Sequence, residues 1–365
     1  MERLKKLSEI IVNHSIKVKK GDKVLITYQI VDARQLVKYL VQDIIKIGGI
    51  PYVKYIDSEL ENIIKEKIDD NLINNRTNII QFEVEEYDSF IQIHSNTSDY
   101  YDRNVDNNLN NKMKESMQPF KDILVNKKRW VLLNYPTMID AYKAKMSYEE
   151  FLEFSLDVMT VDYDKMYEDM QPLKELMEKT DKVRIVSPGT DITFSIKGMP
   201  AIICSGEANI PDGEVFTAPV KNSVNGTITY NTPSPYNGYI YHDVSLTFKD
   251  GKIIECHASN DEDKLKELFN TDEGSKYVGE FSFGLNPKIM KPMGDILYDE
   301  KIAGSIHFTP GSSYDECDNG NKSKVHFDMV LIQRLEYGGG EIYLDDVLVR
   351  KDGKFVLPEL KDLNF

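Results

Sequence analysis

The chain has 365 residues, of which 41% are hydrophobic and 29% charged, so it can bury a substantial core and is too apolar to be disordered as a whole. Its 45 Lys and Arg residues against 60 Asp and Glu residues give a formal net charge of −15, which argues against nucleic acid as a partner. Three widely spaced cysteines fit no disulfide framework, the first 20 residues lack a signal-peptide pattern, and no stretch is apolar enough to span a membrane, so we expect a cytoplasmic protein without a membrane partner.

The first half of the chain alternates between strand and helix patterns. Compact runs rich in β-branched residues predict strands at Lys23–Ile30, Pro51–Ile56, Ser89–His94 and Arg129–Leu133. Apolar residues at helical spacing predict helices over residues 1–14, Gln35–Ile47 and Glu59–Ile68, and a further helical block over residues 147–180 that opens with a Ser147/Glu150 capping box. Strands that alternate with helices favour a parallel sheet. We therefore predict an N-terminal α/β domain over residues 1–181 with a doubly wound, mostly parallel sheet.

After residue 181 the pattern becomes rich in strands. The predicted strands are Lys182–Val186, Asp191–Ile196, Ala201–Cys204, Ser223–Asn231, Gly238–Lys249, Lys252–His257, Tyr277–Gly284, Gly304–Thr309 and Ser323–Ile332. A short helix is predicted at Asp263–Asn270. We therefore predict a strand-rich α+β domain over residues 182–365.

Several common catalytic motifs are missing from the sequence. It contains no G-x-G-x-x-G after the first strand, no G-x-x-x-x-G-K-[ST], no G-x-S-x-G and no H-E-x-x-H. These absences argue against a dinucleotide-binding enzyme, a P-loop nucleotidase, a serine hydrolase of the α/β type and a zincin protease.

The segment SKVHFDMVLI carries the sharpest pattern of metal-ligand residues. His326 and Asp328 are two positions apart in a predicted strand, so both side chains lie on one face and can converge on a metal ion. Val325, Phe327 and Met329 then face the apolar side. A His–Asp hydrogen bond on a solvated sheet face would give the same pattern.

His307 ends the next predicted strand upstream and precedes a Pro310-Gly311 turn, which is a common position for site residues. Tyr314 follows seven residues later, where its phenol could reach the same site. A surface histidine is the alternative interpretation of this position.

Two glutamates occur within apolar runs. Glu214 follows a Pro-Asp-Gly turn and precedes Val215 and Phe216, and a solvated turn is the alternative there. Glu280 interrupts an aromatic strand, so its carboxylate must be paired, protonated or bound to a metal if it is buried. Together with the two histidines and Asp328, these residues form the ligand inventory of a two-metal hydrolytic site.

The order of these blocks resembles the aminopeptidase T / aminopeptidase S family of metallopeptidases. The segments that carry the resemblance are NIPDGEVFTAPVKNSVNG, VGEFSFGLN, IHFTPGSSY and SKVHFDMV. Two N-terminal segments, LSEIIVNHSIKVKKGDKVLI and RWVLLNYPTMIDAYKAKMSYEEF, are also similar, so the resemblance covers essentially the whole chain.

The resemblance implies a two-domain cytoplasmic homodimer that acts as an exopeptidase on peptide substrates. It implies two divalent metal ions per chain (zinc, cobalt or manganese) that activate a water molecule to release N-terminal amino acids. The metal ligands that it implies are Glu214, Glu280, His307, His326 and Asp328. Of these, Glu280 would bridge the metals and take part in catalysis, and Tyr314 would donate a hydrogen bond to the oxyanion.

Two other functions stay open at this stage. A mononuclear non-haem iron dioxygenase that cleaves aromatic rings resembles the same architecture and would need only Glu280, His326 and Asp328. A non-catalytic binding protein with an acidic surface is the third hypothesis, although an intact set of five ligands argues against it.

Overall fold

The computed structural model describes residues 2–66, 69–95 and 107–365. The chain divides into two compact units. Unit 1 comprises Met1–Val161 and Gly206–Pro211, and unit 2 comprises Asp162–Ser205 and Asp212–Phe365. The domain limits expected from the sequence stay a prediction. None of the described helices combines the length and the apolar composition that crossing a bilayer requires.

The described α-helices are α1 (Glu2–Ile10), α2 (Arg34–Ile47), α3 (Ser58–Glu66), α4 (Asp70–Glu86), α5 (Asn107–Lys127), α6 (Met138–Lys143), α7 (Tyr148–Met159), α8 (Tyr163–Lys179), α9 (Glu262–Phe269) and α10 (Ile296–Asp299). The described strands are β1 (Lys23–Tyr28), β2 (Ile50–Tyr55), β3 (Ser89–His94), β4 (Arg129–Asn134), β5 (Lys182–Ser187), β6 (Thr190–Ser195), β7 (Ile202–Cys204), β8 (Asn209–Ile210), β9 (Glu214–Thr217), β10 (Asn225–Thr229), β11 (Ser234–Tyr236), β12 (Tyr239–Tyr241), β13 (Ser245–Lys249), β14 (Lys252–His257), β15 (Val278–Gly284), β16 (Ser305–Pro310), β17 (Val330–Ile332), β18 (Glu341–Leu344), β19 (Val347–Lys351) and β20 (Lys354–Phe355).

Unit 1 contains a five-stranded parallel sheet in the order β2-β1-β3-β4-β8. The predicted parallel sheet with alternating helices is therefore confirmed. Ile26, Ile91 and Leu133 of its inner strands are fully buried. The fifth strand, β8, was not predicted, because its two residues are too few to show a period. The last two residues of the helix predicted over Glu59–Ile68 lie outside the described residues.

Local caps explain how the predicted helical block over residues 147–180 is divided. Ser147 and Glu150 form the predicted capping box at the start of α7. The helix α7 ends at Met159. A second helix, α8, begins after Asp162, because the Asp162 carboxylate accepts a hydrogen bond from the backbone N–H of Lys165 at 3.0 Å.

Unit 2 is built from antiparallel sheets. One has eight strands in the order β14-β13-β10-β6-β5-β18-β19-β20, and another has five in the order β17-β16-β15-β9-β7. Aromatic side chains join them: Phe194 of the larger sheet lies 5.0 Å from Phe281 and 5.1 Å from Phe308 of the smaller, measured between ring centroids. The aromatic face of the smaller sheet is therefore committed to the core, and its polar face is left for other contacts.

Two predicted strands of unit 2 are wrong in extent. Gly238–Lys249 is interrupted after β12, where Asp243 adopts a positive φ of 51° that a continuous strand does not allow. Of Ser323–Ile332 only β17 is strand, and His326 makes an isolated bridge with Gly311. The segment lies beside β16 through single hydrogen bonds, such as Phe327 N–H to the Pro310 carbonyl at 3.0 Å, which are too few for a ladder.

Candidate metal centre

The polar face of the five-stranded sheet collects three of the five predicted ligands. Strand β15 lies between β9 and β16, with Gly284 opposite Glu214 and Ser282 opposite His307. Because side chains alternate along a strand, Glu280 and Ser282 share a face with Glu214 and His307, while Phe281 points into the aromatic core. The side chains of Glu214, Glu280 and His307 are 7%, 4% and 1% exposed.

The other two predicted ligands come from the irregular segment beside β16. The hydroxyl of Thr309 donates to Asp328 Oδ1 at 2.7 Å, which ties that carboxylate to the polar face of the sheet. His326 and Asp328 do lie on one side, with His326 Nε2 3.3 Å from Asp328 Oδ1. Their neighbours Val325 and Phe327 are buried, as the two-residue alternation predicts.

Glu280 lies between the two histidines. Its Oε1 is 3.0 Å from His307 Nε2, and its Oε2 is 3.3 Å from His326 Nε2. His307 Nε2 is also 3.4 Å from Glu214 Oε2. Two groups of three possible ligand atoms result, Glu214/Glu280/His307 and Glu280/His326/Asp328, and the atoms within each group lie within 4.8 Å of one another. Glu280 is the residue that both groups share.

Backbone carbonyls orient both imidazole rings. His307 Nδ1 lies 3.3 Å from the carbonyl oxygen of Glu300, and His326 Nδ1 lies 2.9 Å from that of Ser312. Because a carbonyl can only accept a hydrogen bond, each Nδ1 carries a proton and each Nε2 faces the carboxylates. Histidines that bind metals are oriented in the same way.

The electrostatics of the cluster are those of ion pairs. Burial alone would lower the pKa of His307, but Glu214 and Glu280 outweigh it and raise that pKa to about 10. Burial alone would raise the pKa of Asp328, but the charge of His326 outweighs it and holds that pKa well below its usual range. Protons on the histidines thus compensate the carboxylates, and divalent cations could take over that role.

A buried lysine beside Glu214 was missed from the sequence. Lys301 is fully buried, and its Nζ donates to Glu214 Oε1 at 2.7 Å and to the carboxylate of Glu300, and lies 3.8 Å from Asp212 Oδ1. Burial would lower the pKa of Lys301, but Glu214 and Glu300 outweigh it and raise that pKa well above its usual range. In the sequence, Asp-Glu-Lys at 299–301 has the composition of an exposed loop, so no pattern pointed to burial.

Glu300 is a second residue that sequence reasoning missed. It forms a third group of possible ligands with His307 and Asp328, one from each of the two groups above. Burial raises the pKa of Glu300 to about 8 against the opposing charge of Lys301, with Glu214 and Asp328 adding to the rise. It is therefore a carboxylate that can hold a proton near neutral pH at the edge of both groups.

A fourth group, formed by Cys204, Asp212 and Glu214, has a different character. Lys301 already lies within 4 Å of both carboxylates. Burial raises the pKa of the Cys204 thiol well above its usual range, so the thiol keeps its proton in the metal-free chain. The ammonium group of Lys301 compensates the charge of these carboxylates in the structure.

Tyr314, predicted as a catalytic residue, borders His326. The two ring centroids are 4.9 Å apart in an edge-to-face arrangement, and the ring of Phe216 lies 5.7 Å from Tyr314 on another side. Tyr314 is 44% exposed, so it lies at the accessible edge of the cluster.

Comparisons with known proteins agree on a family. A family model described as thermophilic metalloprotease (M29) matches residues 1–355. The chain is 34% identical over 155 residues to aminopeptidase AmpS of Bacillus subtilis (strain 168), covering 39% of this chain and 37% of the relative. It is 33% identical over 164 residues to aminopeptidase 2 of Geobacillus stearothermophilus, covering 40% of this chain and 37% of the relative. The matches thus span little more than a third of the length of these relatives.

A solved structure, wild-type AmpT from Thermus thermophilus, has the same fold. It superposes with a TM-score of 0.82 at 19% sequence identity, covering 98% of this chain and 99% of that chain. The predicted combination of a parallel N-terminal sheet and a strand-rich C-terminal part is therefore confirmed. Nothing in these comparisons supports the alternative of a ring-cleaving dioxygenase.

Proposed function

The chain belongs to the thermophilic metalloprotease (M29) family, and on that premise we propose that it is a metal-dependent aminopeptidase that releases N-terminal amino acids from peptides. The observation that carries the proposal is the pair of ligand groups that share Glu280. A carboxylate with one oxygen toward each of two histidines has the arrangement of a ligand that bridges two metal ions.

The residues present fit two divalent cations. We propose that the metal ligands are Glu214, Glu280, His307, His326 and Asp328. The surrounding cluster also contains Asp212, Glu300 and Lys301, so it holds five carboxylates and one ammonium group in all. Buried charges need compensation, and two divalent cations would bring the formal charge of this cluster to zero with neutral histidines. Oxygen and imidazole ligands accept zinc, cobalt or manganese, so we propose one of these three.

The side chains of the site then have distinct tasks. When bound, the two ions would polarise the scissile carbonyl and make water nucleophilic at neutral pH. We propose that Glu300 accepts the proton that the attacking water loses, because its carboxylate lies beside His307 and Asp328 and is not one of the five proposed ligands. Tyr314, at the accessible edge, can donate its O–H to the oxygen that becomes negative in the tetrahedral intermediate.

The test is release of free amino acids from a panel of short peptides. The protein is first treated with a chelator and then supplied with zinc, cobalt or manganese. We expect release of N-terminal residues with at least one of these metals and none with chelator present. The matched control is the same panel with acetylated N-termini, which an aminopeptidase does not cleave. Absence of release from every free peptide with every metal would refute the proposal.

We further propose that the protein is a homodimer and works in the cytoplasm, as the resemblance to the family implies. Size-exclusion chromatography with light scattering measures the mass of the particle directly. A mass near 42 kDa, that of one chain, would contradict the homodimer.

A further inference from the structure

Lys301 contacts only one of the two ligand groups. Its ammonium group donates to Glu214 Oε1 at 2.7 Å, while Ser282 Oγ donates to Glu214 Oε2 at 2.8 Å. Both oxygens of Glu214 therefore already have donors, and one of the donors is a cation with no exposed surface. A metal ion bound by Glu214 shares that carboxylate with the ammonium group.

The group on the other side of Glu280 has no such competitor. In the described part of the chain, the salt-bridge partners of Glu280 and Asp328 are the site histidines. Asp328 Oδ1 also accepts a hydrogen bond from Thr309, whose hydroxyl is neutral. The carboxylate charge of this group is thus undiminished by lysine or arginine.

This difference decides how strongly each position attracts a divalent cation. A positive charge in direct contact with a ligand repels an incoming cation, and the repulsion is weakly screened inside the protein. The ammonium group also keeps Glu214 from offering both oxygens to a metal. The group that contains Glu214 should therefore bind a cation more weakly than the group that contains Asp328.

We propose that Lys301 makes the two metal positions unequal, so that Glu280/His326/Asp328 fills first and Glu214/Glu280/His307 fills only at higher metal concentrations. This inference rests on the proposed function, because it concerns the same two positions. Lys301 acts through Glu214 and is a positioning residue. A chain that needs both ions would then be active only when the divalent metal is abundant.

The test is a calorimetric titration of the chelator-treated full chain with Co²⁺, followed in parallel by the visible absorption of bound cobalt. We expect two binding events whose dissociation constants differ by at least tenfold. Asp328→Asn should remove the tighter event, and Glu214→Gln should remove the weaker one. Two indistinguishable events in the unmodified chain, or loss of the weaker event in Asp328→Asn, would overturn the proposal.

Lys301→Met tests the lysine itself. We expect it to tighten the weaker event at least tenfold, because the carboxylates that Lys301 leaves unpaired then attract a cation. The matched control is Lys252→Met, which removes an exposed lysine paired with Glu273 and should leave both events unchanged. An unchanged weaker event in folded Lys301→Met would also overturn the proposal. Should Lys301→Met fail to fold, the titrations of the unmodified chain and of the two ligand variants still decide whether the two metal positions are unequal and which of them fills first.

Peptide hydrolysis separates this inference from the function on which it rests. Hydrolysis together with two equal binding events would overturn the inference and leave the proposed aminopeptidase activity standing. Two unequal events without hydrolysis of any peptide would uphold the inequality of the sites and refute the activity.

Discussion

Glu280→Gln is the most informative single substitution at the site. Glutamine has the shape of glutamate, so the packing of β15 should be kept, but it carries no charge and its amide nitrogen cannot bind a metal. Removing one partner from a buried ion pair costs about 3–5 kcal/mol. That cost refers to folding stability, and we take a free energy of the same order for the contact between Glu280 and a bound cation. Since 1.4 kcal/mol is a factor of ten, each metal position that depends on Glu280 should then lose about a hundredfold to a few thousandfold in affinity.

Both positions depend on Glu280, because it belongs to both ligand groups. We therefore expect kcat/KM for a short peptide to fall at least about a hundredfold in Glu280→Gln. Initial rates of amino acid release and the metal content after gel filtration measure the two effects separately. The matched control is Glu273→Gln, which removes a carboxylate of unit 2 that is 66% exposed and pairs with Lys252.

If Glu280→Gln retains two bound ions and the rate of the unmodified chain, Glu280 does not bridge the metals. If Glu273→Gln loses as much activity as Glu280→Gln, the loss reflects a change in overall charge and carries no information about the site.

Three further predictions concern residues around Glu280. Glu300→Gln should lower kcat by about 10²–10⁴ with unchanged metal content, because it removes the proton acceptor and no ligand, and unchanged kcat would exclude that role. Tyr314→Phe should lower kcat by about 10²–10³ while the protein still binds its metals, because one donor to the oxyanion is lost, and a change confined to KM would contradict it. In the metal-free protein the pKa of His307 is raised from 6.5 to about 10, so its contribution to stability is complete below pH 6.5 and is lost as pH rises through about 10. Thermal unfolding of the chelator-treated chain should therefore show a midpoint that falls over this range, and His307→Gln should flatten the fall.

The parts of the fold that the sequence predicted are those with a clear period. The alternation of β-branched runs with amphipathic helices predicted the parallel sheet of unit 1, and it is present. The strand β8 was not predicted, because its two residues show no pattern of their own. They form a strand only because the folded chain pairs them with Leu132 and Leu133. Long, periodic elements can be predicted from a sequence. Short strands that form only because they pair with another strand of the folded chain cannot.

The strand predicted over the segment before β17 is wrong for a related reason. Alternation of buried and polar residues through Val325, His326, Phe327 and Asp328 is real, and it placed His326 and Asp328 on one side. The alternation comes from an extended chain that lies beside β16 with few hydrogen bonds, so a strand ladder does not form. The period of two therefore predicted the faces of the segment and not its secondary structure.

The predicted ligands and the missed residues differ in how they look in the sequence. Glu280 is conspicuous because a carboxylate within an aromatic strand needs a partner. Lys301 and Glu300 are inconspicuous because a run of consecutive charged residues is typical of an exposed surface loop. The fold around α10 buries Lys301 and leaves the Glu300 side chain 13% exposed. Lys301 comes shortly after Tyr298, which is buried, and Asp299, whose carboxylate accepts the backbone N–H groups of Met293 and Gly294.

A cluster of this kind is hard to explain by stability alone. Replacing buried ion pairs by apolar side chains of similar volume is often neutral or stabilising. Unit 2 nevertheless buries Lys301 against Glu214 and places five carboxylates around it and the two histidines, on the polar face of a sheet whose other face is packed with phenylalanine. The phenylalanine face already provides apolar packing, so we infer that the charged face is retained for its charge. Lys301 then contributes to the chemistry of the site as much as the ligands do, because its positive charge determines how much net negative charge is available to bind a metal ion.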